Sequence, residues 1–201
     1  MIQNNPEISG KKKLFVVSAP SGGGKSTVAR YLLKKCSGMR FSISATTRKR
    51  RPNETYGLEY FFLSKDEFIK KIHNDEFVEF EIIYGNYYGT LRSEIEKALS
   101  IDYSLLFDID VKGALSLRKE FPDDTLLIFL RPPSLSELQK RLQGRSTESD
   151  EQIAKRMERA QMELEQEPLF DYTVINGSFE ETYAQIDELI DKHFVNKQIE
   201  I

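Results

Sequence analysis

Cysteine is nearly absent from this 201-residue sequence, with Cys36 the single example. One thiol excludes an intramolecular disulfide and points to a reducing compartment. Its ordinary role is that of a small residue on the buried side of a helix. Histidine is as scarce: His73 and His193 stand far apart with no second thiol to join them, which argues against a structural zinc site. Long apolar runs are missing too. None nears the roughly 20 residues of a membrane span, and the opening MIQNNPEISGKKK lacks the apolar stretch of a secretory signal. A cytoplasmic protein with no membrane partner is expected. The net charge of −3 argues against general nucleic-acid binding. No repeat and no low-complexity linker divides the chain, which is long enough for one buried core with small inserted lobes.

What the sequence does hold is alternation. KLFVVSA, YSLLFDID, DTLLIFLRPP and DYTVING are short apolar runs bounded by turn signals, as in buried parallel strands. Each is followed by a helical pattern. Two of those helices open on Ser-x-x-Glu capping signatures, at Ser134–Glu137 and Ser178–Glu181. Strand, helix, strand, helix implies an α/β fold with a parallel sheet covered on both faces.

Two stretches break the rhythm. Residues 42–91, rich in Tyr, Phe, Arg and Glu, read as a small mixed α+β lobe inserted after the first helix. Residues 142–160 are strongly polar and read either as a solvated helical hairpin or as a mobile lid. The core is then expected over 11–41, 92–141 and 161–201, with residues 1–10 as a loose polar tail.

The stretch SAPSGGGKST explains why three glycines are wedged between a strand and a helix. Glycines let consecutive backbone N–H groups converge on one anion, and the helix N-terminus adds its positive dipole end. Lys25 can then reach β- and γ-phosphates, and the Ser26 hydroxyl can ligate Mg²⁺. The pattern G-x-x-x-x-G-K-[ST] is intact at Gly24-Lys25-Ser26, while Ala19 stands at its first glycine. Asp108 and Asp110 emerge at the carboxyl end of a core strand, the edge at which parallel sheets bind ligands. Asp108 is expected to hold Mg²⁺ through water, and one of the two aspartates could instead cap the next helix. Arg48, Arg50 and Arg51 cluster in the inserted lobe; Arg141, Arg145 and Arg156 fall in or beside the polar hairpin. Phosphoryl transfer between two nucleotides crowds anionic oxygens together, and guanidinium groups neutralise them best.

Together SAPSGGGKST, SISATTRKRR, GLEYFFLS, DEFVEFEIIYGNYYGT, LLFDIDVKG, IFLRPPS, RLQGRSTESDEQIAKRM and DYTVING resemble guanylate kinase. The resemblance runs from about Lys13 to Ile190, and EFVEFEIIYGNYYGT is its most specific tract. It implies a parallel P-loop kinase sheet with a GMP-binding lobe and a helical lid, and transfer of the γ-phosphoryl group of ATP to GMP or dGMP. The implied ATP site comprises Ala19, Pro20, Ser21, Gly22, Gly23 and Gly24, with Lys25, Ser26, Thr27, Arg141 and Asn176. The implied GMP site comprises Ser44, Arg48, Arg51, Tyr60, Glu79, Tyr88, Thr90 and Asp110. Arg48, Arg51, Tyr60 and Tyr88 would hold the acceptor phosphate, and Glu79 would accept the N1–H and 2-amino donors of guanine. Lys25, Arg48, Arg145 and Arg156 would carry the reaction, with Asp108 on the Mg²⁺ side and Asp110 near GMP.

The chain departs from the family at Thr46–Glu54, where the family reads T-T-R-x-P-R-x-G-E. Here the proline lies two places later and Asn53 replaces glycine, a residue that accommodates a left-handed turn. Arg50 and Arg51 are alternatives for the phosphate, and spacing favours Arg51. Two other readings stand beside this one: a kinase for another small phosphorylated acceptor, and a guanylate-kinase-like module that binds proteins.

Overall fold

In the computed structural model, residues 3–4, 11–83, 85–101, 103–143 and 150–194 are described. The chain opens on β1 (Gln3–Asn4). The apolar run before the glycines forms β2 (Leu14–Ser18), and the helical pattern after them forms α1 (Lys25–Lys35). After β3 (Met39–Phe41) the chain leaves the core to build β4 (Ala45–Thr46), β5 (Phe61–Phe62), α2 (Lys65–His73), β6 (Phe77–Ile83) and β7 (Asn86–Leu91). It returns through α3 (Arg92–Ser100), β8 (Ser104–Asp108), α4 (Val111–Glu120) and β9 (Thr125–Arg131). The helices α5 (Leu135–Gln143) and α6 (Asp150–Glu165) precede β10 (Tyr172–Ile175) and the closing α7 (Phe179–His193).

The main sheet runs β1-β10-β9-β2-β8-β3, parallel throughout except for β1. Gln3 and Asn4, within the stretch expected as a loose tail, pair antiparallel with Thr173 and Tyr172. Phe41, which opens the strand-like piece FSISATT, belongs to the edge strand β3 and pairs with Leu106; Ala45–Thr46 of the same piece form β4 in the insertion.

Because side chains alternate along a strand, the central strands feed two cores. Phe15, Val17, Leu106 and Ile128 pack on one face with Val28 and Leu32 of α1 and Ile186 and Leu189 of α7. Leu14, Val16, Phe107, Leu127 and Phe129 pack on the other with Ile95 of α3 and Ala114 and Leu117 of α4. Each of these Val, Leu, Ile and Phe side chains contributes about 1.5–3 kcal/mol on burial. Cys36, at the end of α1, is buried in the first core, and burial pushes its thiol up to about 11. It behaves as an inert apolar residue.

The inserted lobe is a second sheet, β5-β4-β7-β6, closed by α2. Its centre is Phe68, fully buried and stacked on Phe77 with ring centroids 4.2 Å apart. Helix α2 begins at a complete capping box between Ser64 and Glu67. Across the β6–β7 ladder Glu79 pairs with Thr90, a register that puts the two side chains on the same face.

Of the polar stretch, residues 142–143 and 150–160 are described and are helical; α6 runs on to Glu165 and is not wholly solvated. Leu138 and Leu142 of α5 pack with Met157 and Ala160 of α6. The same two leucines lie against Gly22, which brings the pair of helices to the glycine turn.

Candidate active site

The turn after β2 has the backbone its composition demands. Gly22 and Gly24 adopt φ +85° and +91°, the left-handed region that favours glycine. A Cβ on Gly24 would run into the Asn176 amide. The Gly23 N–H donates to the Pro20 carbonyl (2.7 Å), which pins the bend. Ala19 and Pro20 are buried and Ser21 is half-buried. Lys25 then opens α1, and its Nζ reaches back to donate to the Ala19 carbonyl at 3.1 Å. From the next position the Ser26 hydroxyl donates to Asp108 Oδ2 at 2.8 Å, joining the helix start to the end of β8. Asp110 is the residue that caps α4: its Oδ1 accepts the Gly113 N–H at 2.8 Å.

One cavity opens on this turn and another beyond Asp108. The first, of about 340 Å³, is lined by Gly22, Gly24, Thr27, Arg141, Asn176 and Tyr183, among others. Arg141 is held there by Glu137 (3.2 Å) and by the Asn176 carbonyl (3.1 Å). The Asn176 side chain donates to the Gly23 carbonyl at 2.6 Å and accepts from Thr182 at 3.2 Å, which anchors the turn. The other cavity, about 130 Å³, lies between the core and the lobe, lined by Ser42, Ser44, Glu59, Tyr60, Phe107 and Asp108, among others.

The lobe's arginines are ordered by a carboxylate that sequence reasoning passed over. Glu54 holds Arg48 in a two-pronged pair (3.0 and 2.6 Å) and also accepts the Arg51 N–H at 2.8 Å. Arg48 first, and then the Arg51 amide, hold the Glu54 carboxyl down at about 2. Arg50 Nη1 donates to the Glu54 carbonyl, and the Arg51 side chain is exposed. The bend over Arg51–Glu54 is closed by the Glu54 N–H on the Arg51 carbonyl (3.1 Å). Asn53 contributes no left-handed φ; among the described non-glycine residues the positive φ belongs to Asp75. Arg48 also lies 5.3 Å from the centre of the Tyr60 ring, and Tyr60 meets Tyr88 edge-on at 6.0 Å. Burial, followed by the Tyr88 hydroxyl, raises the Tyr60 phenol above its usual range.

On the β6–β7 ladder of the lobe, the Thr90 hydroxyl donates to Glu79 Oε1 at 2.6 Å. Burial pushes the Glu79 carboxyl up to about 7 against the lowering effect of Thr90, with Asp110 adding to the rise. Arg156 is half-buried on α6, and Arg145 lies outside the described residues. A second residue missed in the sequence, Arg159, extends from α6 to Asp110 and Glu81. Its signal was buried in a polar stretch where each charge reads as a solvated one.

One cavity opens on the phosphate loop beside Arg141, and a second lies between core and lobe at Asp108, which Ser26 joins to the loop; separate spaces of this kind suit a kinase with distinct donor and acceptor sites. The fold and the site define a P-loop nucleotide kinase. Residues 11–193 match the family model described as guanylate kinase. Over 170 residues the chain is 49% identical to the guanylate kinase of Chlorobaculum tepidum, covering 85% of this chain and 87% of that protein. With the guanylate kinase of Chlorobium luteolum it shares 45% identity over 192 residues, 96% and 98% of the two chains. The crystal structure of guanylate kinase from Anaplasma phagocytophilum superposes with a TM-score of 0.70 at 29% identity, covering 95% of this chain and 92% of that one. This chain belongs to the guanylate kinase family, the ATP:GMP phosphotransferases. No helix among the described residues is long and apolar enough to cross a membrane.

Proposed function

We propose that the chain transfers the γ-phosphoryl group of ATP to the phosphate of GMP or dGMP in the cytoplasm, giving ADP and GDP or dGDP, with the residues acting as follows. The observation that carries the reading is Glu79: a half-buried carboxylate with one oxygen fixed by Thr90 and a second for an incoming donor. Guanine offers two adjacent donors on that edge, N1–H and the 2-amino group. Adenine offers a lone pair at N1, which would leave the carboxylate unpaired. Ser44 and Thr90 complete the base contacts, and Asp110 lies on the GMP side.

Arg48, Arg51, Tyr60 and Tyr88 hold the acceptor phosphate, with Glu54 keeping Arg48 aimed. Lys25 exchanges the neutral Ala19 carbonyl for the β- and γ-oxygens of ATP, a stronger charge-assisted partner. Backbone N–H groups of the turn between Ser21 and Ser26 cradle those phosphates, with Ala19, Pro20 and Thr27 shaping its two ends. Arg141, Arg145 and Arg156 add positive charge as the lid closes, which also expels water that would otherwise accept the phosphoryl group.

Ser26 and Asp108 are the residues that would hold Mg²⁺, Asp108 through water. The fit is chemical: both are hard oxygen donors already in contact. Mg²⁺ beside a nucleotide is held by one or two carboxylates plus substrate phosphates, which this pair of donors suits. Bound there, the ion would supply positive charge against the phosphates of ATP. The acceptor oxygen is already anionic, so alignment and charge neutralisation suffice without a strong base.

An acceptor panel tests the reading. ADP release in the presence of ATP and magnesium is expected with GMP and dGMP, and at background with AMP, UMP and a sugar phosphate. Comparable rates with AMP would overturn it.

A further inference from the structure

Strand β6 is inside out for a surface strand. Phe80 and Ile82 are 44% and 54% exposed, while the alternate residues Glu79 and Glu81 are half-buried. The acidic side lies against the start of α4. Gly113 comes so close there that a Cβ would sit 3.1 Å from Glu79 Oε2, and Asp110 caps the same helix. Glu79, Glu81 and Asp110 therefore share one wall. The cation that meets this wall is Arg159 of α6: its Nη2 lies 3.0 Å from Glu81 Oε1 and 3.1 Å from Asp110 Oδ2, and its Nε 2.9 Å from Glu163 Oε1.

A lone, partly exposed ion pair contributes little. Here one planar fork binds carboxylates from the lobe, from the core and from its own helix, which a single ammonium cannot match in geometry. Without the fork, Glu81 and Asp110 would lose the guanidinium that lies against both, and their repulsion would push β6 off α4 with Glu79 on it. Burial, together with the Asp110 carboxyl, already holds the Glu81 carboxyl above its usual range.

We propose that Arg159 is a positioning residue for acceptor selection: it ties α6 to β6 and Asp110, so that the acidic wall around Glu79 is assembled as α6 carries Arg156 into the cleft. Arg156 lies three residues earlier on the same side of the helix, so seating Arg159 also sets where Arg156 points. The inference rests on the reading of Glu79 given above.

Steady-state kinetics of R159Q, R159K, E81Q and the E81Q/R159Q double variant test it. R159Q is expected to raise the KM for GMP about ten-fold while that for ATP moves less than about two-fold. R159K falls between R159Q and wild type. The double variant recovers most of the lost GMP affinity, because the unbalanced pair of like charges is gone; a merely structural arginine would give additive losses. If R159Q does not fold, R159K and the double variant give the same comparison. An unchanged KM for GMP in R159Q or R159K, or a double variant no better than R159Q, overturns the proposal. A wild-type chain that makes no GDP would instead overturn the reading beneath it.

Discussion

The side-chain amide of Asn176, at the end of β10, donates to the carbonyl oxygen of Gly23 across 2.6 Å, so the last core strand fastens the phosphate turn that follows the first long one. Asn176 is itself buried, and its side-chain oxygen accepts from the Thr182 hydroxyl. Asn176→Ala leaves the Gly23 carbonyl unpaired, a cost of about 1–3 kcal/mol. The expected outcome is a KM for ATP raised about ten-fold and a lower melting temperature, with the KM for GMP within about two-fold of wild type. Equal weakening of both nucleotides would place Asn176 in the general fold instead of the donor site.

Lys25 reaches back over the turn to Ala19, a position from which it needs only a change of partner to meet a phosphate. Lys25→Ala is expected to lower kcat by about 100- to 1,000-fold, while calorimetry finds GMP binding unchanged. Loss of both in parallel would mean that the lysine holds the turn together and takes no part in transfer.

Glu54 fixes the direction of Arg48 with both oxygens and closes the Arg51 turn with the same carboxylate. Its lowered pKa, about 2, keeps the pair intact through the whole neutral and mildly acidic range. Glu54→Gln removes the charge and frees the arginine. The KM for GMP is expected to rise about ten-fold, and the KM for ATP to stay put. A GMP titration indistinguishable from wild type would show that Arg48 needs no such guide.

Glu79 makes GMP binding depend on pH. A carboxyl held near 7 by burial is about one-tenth ionised at pH 6 and nine-tenths at pH 8. If only the ionised form takes the guanine donors, the KM for GMP falls about ten-fold over that interval, and Glu79→Gln abolishes the trend. Stability moves the other way. The folded pKa lies above the usual 4.5, so this group favours the fold fully below about 4.5 and that contribution is lost as pH rises through about 7. Glu79→Gln carries no such loss and is expected to melt about 2–4 °C higher than wild type near pH 8, with no gain near pH 5.

The core was legible because period and punctuation agree there. The apolar runs became β2, β8, β9 and β10, and the glycines took the left-handed backbone that their spacing implied. That Glu79 and Thr90 belong to one site was read only through the resemblance, since Glu79 alone is one more charge in an alternating strand. Three features resisted. Gln3–Asn4 pair with β10 through backbone groups, which composition does not report. Glu54 was in view, six residues from Arg48, but its grip on two arginines depends on a turn geometry that no spacing rule encodes. Arg159 finds partners on two other elements, and such long-range charge pairing leaves no mark in local sequence.

Acceptor discrimination tests the account most directly. The ratio of kcat/KM for GMP to that for AMP, measured at about pH 8 with saturating ATP and magnesium, is expected to exceed about 1,000 in the wild type. In Glu79→Gln it should collapse through the GMP value, with the AMP value scarcely moved. A wild type that phosphorylates AMP as readily as GMP, or a Glu79→Gln variant that keeps the full ratio, would contradict the account.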